Sequence, residues 1–209
     1  FAYYLTYWTG MTEDEASMVQ GTILGASLLF LPLVVSLSKR MEKQRAYVVA
    51  MGVWAVVMLA IFWVPQGAKL PIYVLGGLAG FGVSAAHVLP NAMSPDAMEV
   101  DEMMSGARQE GAYAGMMVFI DKLARMIALS VLPLVLQAAN YVQPTDTNPT
   151  PAQPSSALLA LRVLVSFAPA ALLMLSIPVA RAYPMTRADH EALTEQLMDR
   201  RQQLATEGD

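Results

Sequence analysis

Long apolar runs separated by short polar connections dominate the chain, and none of them alternates polar with apolar positions. Crossing a hydrocarbon core of about 30 Å takes roughly 20 helical residues. Segments 18–37, 46–65, 71–89, 112–137 and 158–180 have that length. The apolar-aromatic start at 1–9 (FAYYLTYWT) reads as the end of a further, truncated membrane helix. A strand would show a period of two, and in lipid only helices or closed barrels satisfy their own backbone. The pattern predicts an all-α, polytopic bundle of transmembrane helices.

The connections differ in charge. Residues 12–15 (TEDE) are acidic, whereas 39–45 (KRMEKQR) hold four basic residues in seven. Residues 90–111 read as an acidic connection, 138–156 as a proline-rich loop without Lys or Arg, and 181–209 as a tail with four arginines. Lys and Arg collect on the cytoplasmic side of a membrane. The basic turn, the acidic connection and the C-terminal tail are therefore expected in the cytoplasm, and 138–156 outside. Gly76-x-x-x-Gly80 is a close-packing motif for membrane helices. The run GGLAGFG lies inside an apolar span with no strand before it, so it is not a nucleotide loop.

Composition fits lipid as the solvent. The chain is 56% hydrophobic and 14% charged, against about 45–50% and 25% for an ordinary soluble domain. It has no cysteine, which removes disulfides and thiolate metal sites. His87 and His190 are too far apart to suggest a metal site, no nucleophile stands beside a base, and no basic stripe suits nucleic acid. The reading is neither an enzyme nor a nucleic-acid binder.

Charge placement carries the functional signal. Asp96, Glu99, Asp101, Glu102, Arg108 and Glu110 crowd the acidic connection, as either a cytoplasmic gate or structural ion pairs. Asp121, Lys122 and Arg125 lie well inside the span 112–137. Ten residues at about 1.5 Å each put Lys122 roughly 15 Å deep. A lysine facing lipid there costs about 2.5–3.5 kcal/mol, so these groups are expected to face protein or water and to mark a substrate or ion path. Asp121 and Arg125 are four apart and can pair along the helix, which leaves Lys122 to find a partner elsewhere. Tyr3, Tyr4, Tyr7 and Trp8 form an aromatic cluster that suits interfacial anchoring, with Tyr7 and Trp8 as possible solute contacts.

The same stretch resembles the glycoside–pentoside–hexuronide:cation symporters of the major facilitator superfamily, relatives of the sodium-dependent lysophosphatidylcholine symporters. The resemblance rests on Pro95-Asp96, Glu99-x-Asp101-Glu102, Ser105-Gly106-x-Arg108-x-Glu110-Gly111 and Lys122 twelve positions after Glu110, with Tyr183-Pro184 closing the last span. It covers essentially the whole chain. It implies the C-terminal six-helix half of a two-bundle carrier, with Lys122 facing a central cavity and coupling solute to cation. The basic residue common before that lysine is here Asp121. The resemblance further implies a Na⁺ or H⁺ coupling ion whose main site belongs to the N-terminal half, a polar solute such as a sugar or glycoside, and a plasma or inner membrane. A lysolipid carrier of the same fold is the alternative, and a non-transporting membrane scaffold is the rival from another class.

Overall fold

A computed structural model describes residues 1–107, 109–182, 193 and 195 of the chain. Six helices follow one another: α1 (Ala2–Tyr7), α2 (Glu13–Arg40), α3 (Lys43–Phe62), α4 (Leu70–Ser105), α5 (Glu110–Ala138) and α6 (Ser155–Arg181). Four of them, α2, α3, α4 and α6, are long and apolar enough to cross a membrane. α5 has the length, at 29 residues, but carries three charges in its middle.

Local chemistry sets where these helices begin and end. The acidic 12–15 stretch is a capping box: the Glu15 backbone N–H donates to Thr12 Oγ1 (3.3 Å) and the Thr12 N–H donates to Glu15 Oε2 (2.9 Å). Glu13, Asp14 and Glu15 occupy the first turn of α2 and Lys39 and Arg40 its last, both favourable to the helix dipole. Pro71 opens α4, where its missing N–H costs nothing. Gly106, at φ 74°, closes α4 in the left-handed conformation that glycine adopts without strain.

α4 corrects one expectation. Residues 90–111 were expected to be a connection, yet α4 runs unbroken through Pro90 and Pro95 to Ser105, leaving only a short link before α5. Neighbouring groups and local adjustment satisfy the backbone that a proline leaves short. Around these prolines, Asn91 Nδ2 donates to His87 O (2.7 Å) and Lys43 Nζ to Ala92 O (3.0 Å), the carbonyls three residues before each proline.

The glycines of α4 decide its packing. α2 and α4 lie against each other most extensively, and α3 packs on both α4 and α6. A Cβ at Gly80 would stand 2.7 Å from Ala26 Cβ and 2.9 Å from the backbone of Ile23 and Ser27. Gly82 presses in the same way on the indole of Trp54 in α3. Two apolar cores result. One gathers Tyr4, Leu5, Val19, Ile61 and Ile72, the other Val34, Ala46, Met51, Ala85 and Leu89. α5 stands apart, meeting α6 only lightly, and Leu136 is its one buried residue.

Gly80→Ala forces backbone, not a flexible side chain, to move, and overpacking of this kind costs about 1–3 kcal/mol. Gly77→Ala, with nothing within 4 Å of the new methyl, is the control. In the full-length protein, Gly80→Ala is expected to lower the detergent melting temperature clearly and Gly77→Ala to leave it nearly unchanged.

Candidate functional site

The charged centre of α5 sits on an open face. Arg125 Nε donates to Asp121 Oδ2 at 2.9 Å, the pair expected from their spacing, and both side chains are more than half exposed. Lys122 is exposed and makes no hydrogen bond or ion pair among the described residues. The opposite face of α5, formed by Ala124, Ile127, Ala128, Val131 and Leu132, lines an apolar cavity of about 800 Å³ shared with α1, α2, α3, α4 and α6. At 3.6 residues per turn, Lys122 points roughly 150° from the middle of that face, whereas Asp121 and Arg125 lie together on one side of it, about 50° and about 90° from its middle. The lysine thus turns away from the interior of this bundle, toward a surface that no described helix covers. The expectation of a partner on a neighbouring helix is not met among the described residues.

The acidic stretch divides. Asp96 is buried, 3% exposed, and both its carboxylate oxygens accept from Lys43 Nζ at 2.7 Å. Lys43, within the basic turn, opens α3, so this contact ties the start of α3 to the C-terminal third of α4. Glu99 and Asp101 are half-buried on α4, and Glu110 is exposed at the start of α5. Arg108 lies outside the described residues. At the other end of the bundle, Lys69 before α4 pairs with Glu15 of α2 at 2.6 Å.

The aromatic cluster is engaged within the protein. Tyr3 and Tyr7 meet the ring of Tyr141 edge-on, each with centroids 5.6 Å apart. Trp8 Nε1 donates to Val64 O at 3.0 Å, and its ring face carries the guanidinium of Arg162 of α6 at 4.4 Å. The same guanidinium lies over the ring of Phe62 at 4.2 Å. Among the described residues, no three of His, Asp and Glu come together as a metal-binding group.

Comparison with known proteins decides the family. The family model described as MFS/sugar transport protein matches residues 1–187. The chain belongs to this family of the major facilitator superfamily. It is 32% identical over 200 residues to an uncharacterized symporter of Synechocystis, covering 96% of this chain and 37% of that protein. It is 27% identical to sodium-dependent lysophosphatidylcholine symporter 1-A of Danio rerio, over 94% of this chain and 36% of the relative. It is 26% identical to the sphingosine-1-phosphate transporter MFSD2B of Xenopus tropicalis, over 95% of this chain and 37% of the relative. The chain therefore spans little more than a third of the length of these relatives. All are named as symporters or transporters, none as an enzyme.

As a member of this family the chain is an integral, multi-pass membrane protein. Sequence reasoning located the α5 charges and Asp96 but passed over Lys43 as a partner and Arg162 altogether. The signal for Arg162 was present: it is a charge inside the 158–180 span, open to the same cost argument as Lys122. The partner of Asp96 was not legible, because 53 residues separate it from Lys43.

The pair Lys43–Asp96 is expected to couple energetically. Hydrogen bonds to charged groups contribute about 1.5–3 kcal/mol, less where one partner, here Lys43, keeps access to water. Lys43→Ala and Asp96→Ala should each destabilise the protein, and the double variant should cost clearly less than the two combined. Thermal unfolding of the four forms measures that difference.

Proposed function

We propose that the chain forms the C-terminal half of a cation-coupled symporter that works by alternating access, with Lys122 contacting the solute or a carboxylate of the opposite half. The observation that carries this reading is the exposed cation at mid-span of α5, turned away from its own bundle. A free lysine at that depth is costly against lipid. A second bundle or a water-filled cavity between bundles removes the cost, and solute and ion sites of secondary carriers lie near the membrane midplane between their repeats. The coupling ion is Na⁺ or H⁺, and its carboxylate site belongs to the opposite half. Coupling then requires that ion and solute favour the same conformational step. The basic turn 39–45 and the tail 181–209 face the cytoplasm in this reading, and the protein resides in the plasma or inner membrane.

For the solute, the family description supports a sugar or glycoside. A lysolipid-like amphiphile is the second reading. Relatives named for lysophosphatidylcholine and sphingosine-1-phosphate favour it, as does the apolar surface around the α5 charges, where Val118, Phe119, Met126 and Leu129 are all exposed. A non-transporting scaffold is the reading these observations support least, since a scaffold needs no unpaired mid-span lysine.

In the full-length protein, Lys122→Ala is expected to abolish gradient-driven solute accumulation while the protein remains inserted and folded. Arg125→Ala is expected to act more mildly, because Asp121 and Arg125 neutralise each other within one helix. Uptake at matched protein amount, with and without the ion gradient and with both a labelled glycoside and a labelled lysolipid, measures both. Normal gradient-driven uptake of either solute by Lys122→Ala would overturn the role given to the lysine.

A further inference from the structure

Outside α5, the apolar interiors of the described spans hold a single charged side chain, Arg162. It sits two turns into α6, and nothing in its own helix neutralises it. Its guanidinium lies over the rings of both Trp8 and Phe62, and Nη2 donates to the Phe62 carbonyl. That carbonyl ends α3, where unpaired C=O groups give a helix its partial negative charge. No carboxylate pairs with Arg162 among the described residues, and its buried Nε has no partner.

This compensation depends on geometry in a way that an ion pair does not. Cation–π attraction needs the cation over the ring face, and the two rings come from different elements, Trp8 at the end of α1 and Phe62 at the end of α3. If α1 moves off by a few ångströms, the guanidinium loses one face and has no acid to turn to. The end of α1 is therefore docked with the charge satisfied, or released with water admitted to it. The docked arrangement is reinforced around Trp8. Gly67 N–H donates to Trp8 O (3.0 Å), Tyr4 Oη–H to Ile61 O (3.2 Å), and Thr9 is only 1% exposed. One turn back, Tyr3 and Tyr7 hold Tyr141 just beyond α5.

We propose that Arg162 is a positioning residue: its paired cation–π contacts clamp the Trp8 end of α1 onto α3 and α6, and through Tyr3 and Tyr7 fix the adjoining end of α5. The clamp decides whether that end of the bundle is closed or open to water. It goes beyond the transport reading and does not depend on which solute is carried, or on transport at all.

The test uses the full-length protein in membranes, free of other cysteines, with Thr9→Cys as reporter. Labelling by a membrane-impermeant maleimide is expected to be slow with Arg162 in place. Arg162→Gln is expected to raise the rate about tenfold or more, as a shift in a local opening equilibrium does. Arg162→Lys should also label fast, because an ammonium keeps the charge but lacks the flat face that lies over two rings. Phe62→Leu, which keeps apolar volume and removes one face, is the milder variant and carries the test if Arg162→Gln does not fold. Its expected effect is in the same direction and smaller. Wild-type labelling rates in folded Arg162→Lys and Phe62→Leu would overturn the clamp. So would acceleration that tracks only the loss of folded protein on size exclusion. Solute uptake is not read, so failure of the transport reading leaves this result standing.

Discussion

A charge held in a low-dielectric slab must be answered by an opposite charge, a dipole or water, and the arrangement of this bundle follows from how each charge is answered. Asp121 and Arg125 answer each other along one helix at 2.9 Å. Asp96 is answered by Lys43 across two helices, and Arg162 by two ring faces and a helix-end carbonyl. Lys122 alone of these groups is answered by nothing among the described residues. The cost of leaving it against lipid, about 2.5–3.5 kcal/mol or more, is what supports the proposal that the open face of α5 is a functional face.

Small residues bring the supporting helices close enough to hold that face in place. Lipid offers no hydrophobic drive between helices, so close backbone approach and polar contacts carry the association. Gly80 lets α4 reach the backbone of α2, and Gly82 receives Trp54 of α3. The ends are then fixed by polar contacts, Lys69–Glu15 at one and Lys43–Asp96 at the other. α2, α3, α4 and α6 thus form a packed unit, with α1 docked on it. α5 stands at its edge, with an apolar cavity on one side and Lys122 on the other.

Much of this was legible in the residues. The apolar runs announced helices, Gly76-x-x-x-Gly80 announced a close crossing, and the four-residue spacing of Asp121 and Arg125 announced their pair. The motif around Asp96, Glu110 and Lys122 pointed to the family that the comparison then showed. What stayed hidden depends on contacts distant in sequence or on competition between local rules. The acidic residues beyond Leu89 argued for a connection, yet α4 continues to Ser105. TEDE was read only as an acidic connection, whereas Thr12 and Glu15 cap a helix. The aromatic residues at the start suggested anchoring or solute contact, and Trp8 instead stacks on an arginine 154 positions away. The charge of Arg162 could be read in the sequence, but the rings that satisfy it could not.

The central claim is that the Lys122 face of α5 meets water or protein rather than lipid. A spin label at Met126, one turn along from Lys122 and 60% exposed, reads that face without altering the lysine. Val56 of α3, 65% exposed, is the lipid-facing reference. In the full-length protein in bilayers, the label at Met126 is expected to collide with a water-soluble nickel chelate far more than with oxygen, or with neither if the opposite half covers it, while the label at Val56 collides chiefly with oxygen. An oxygen-dominated signal at Met126 matching that at Val56 would place the charged face in lipid and contradict the claim.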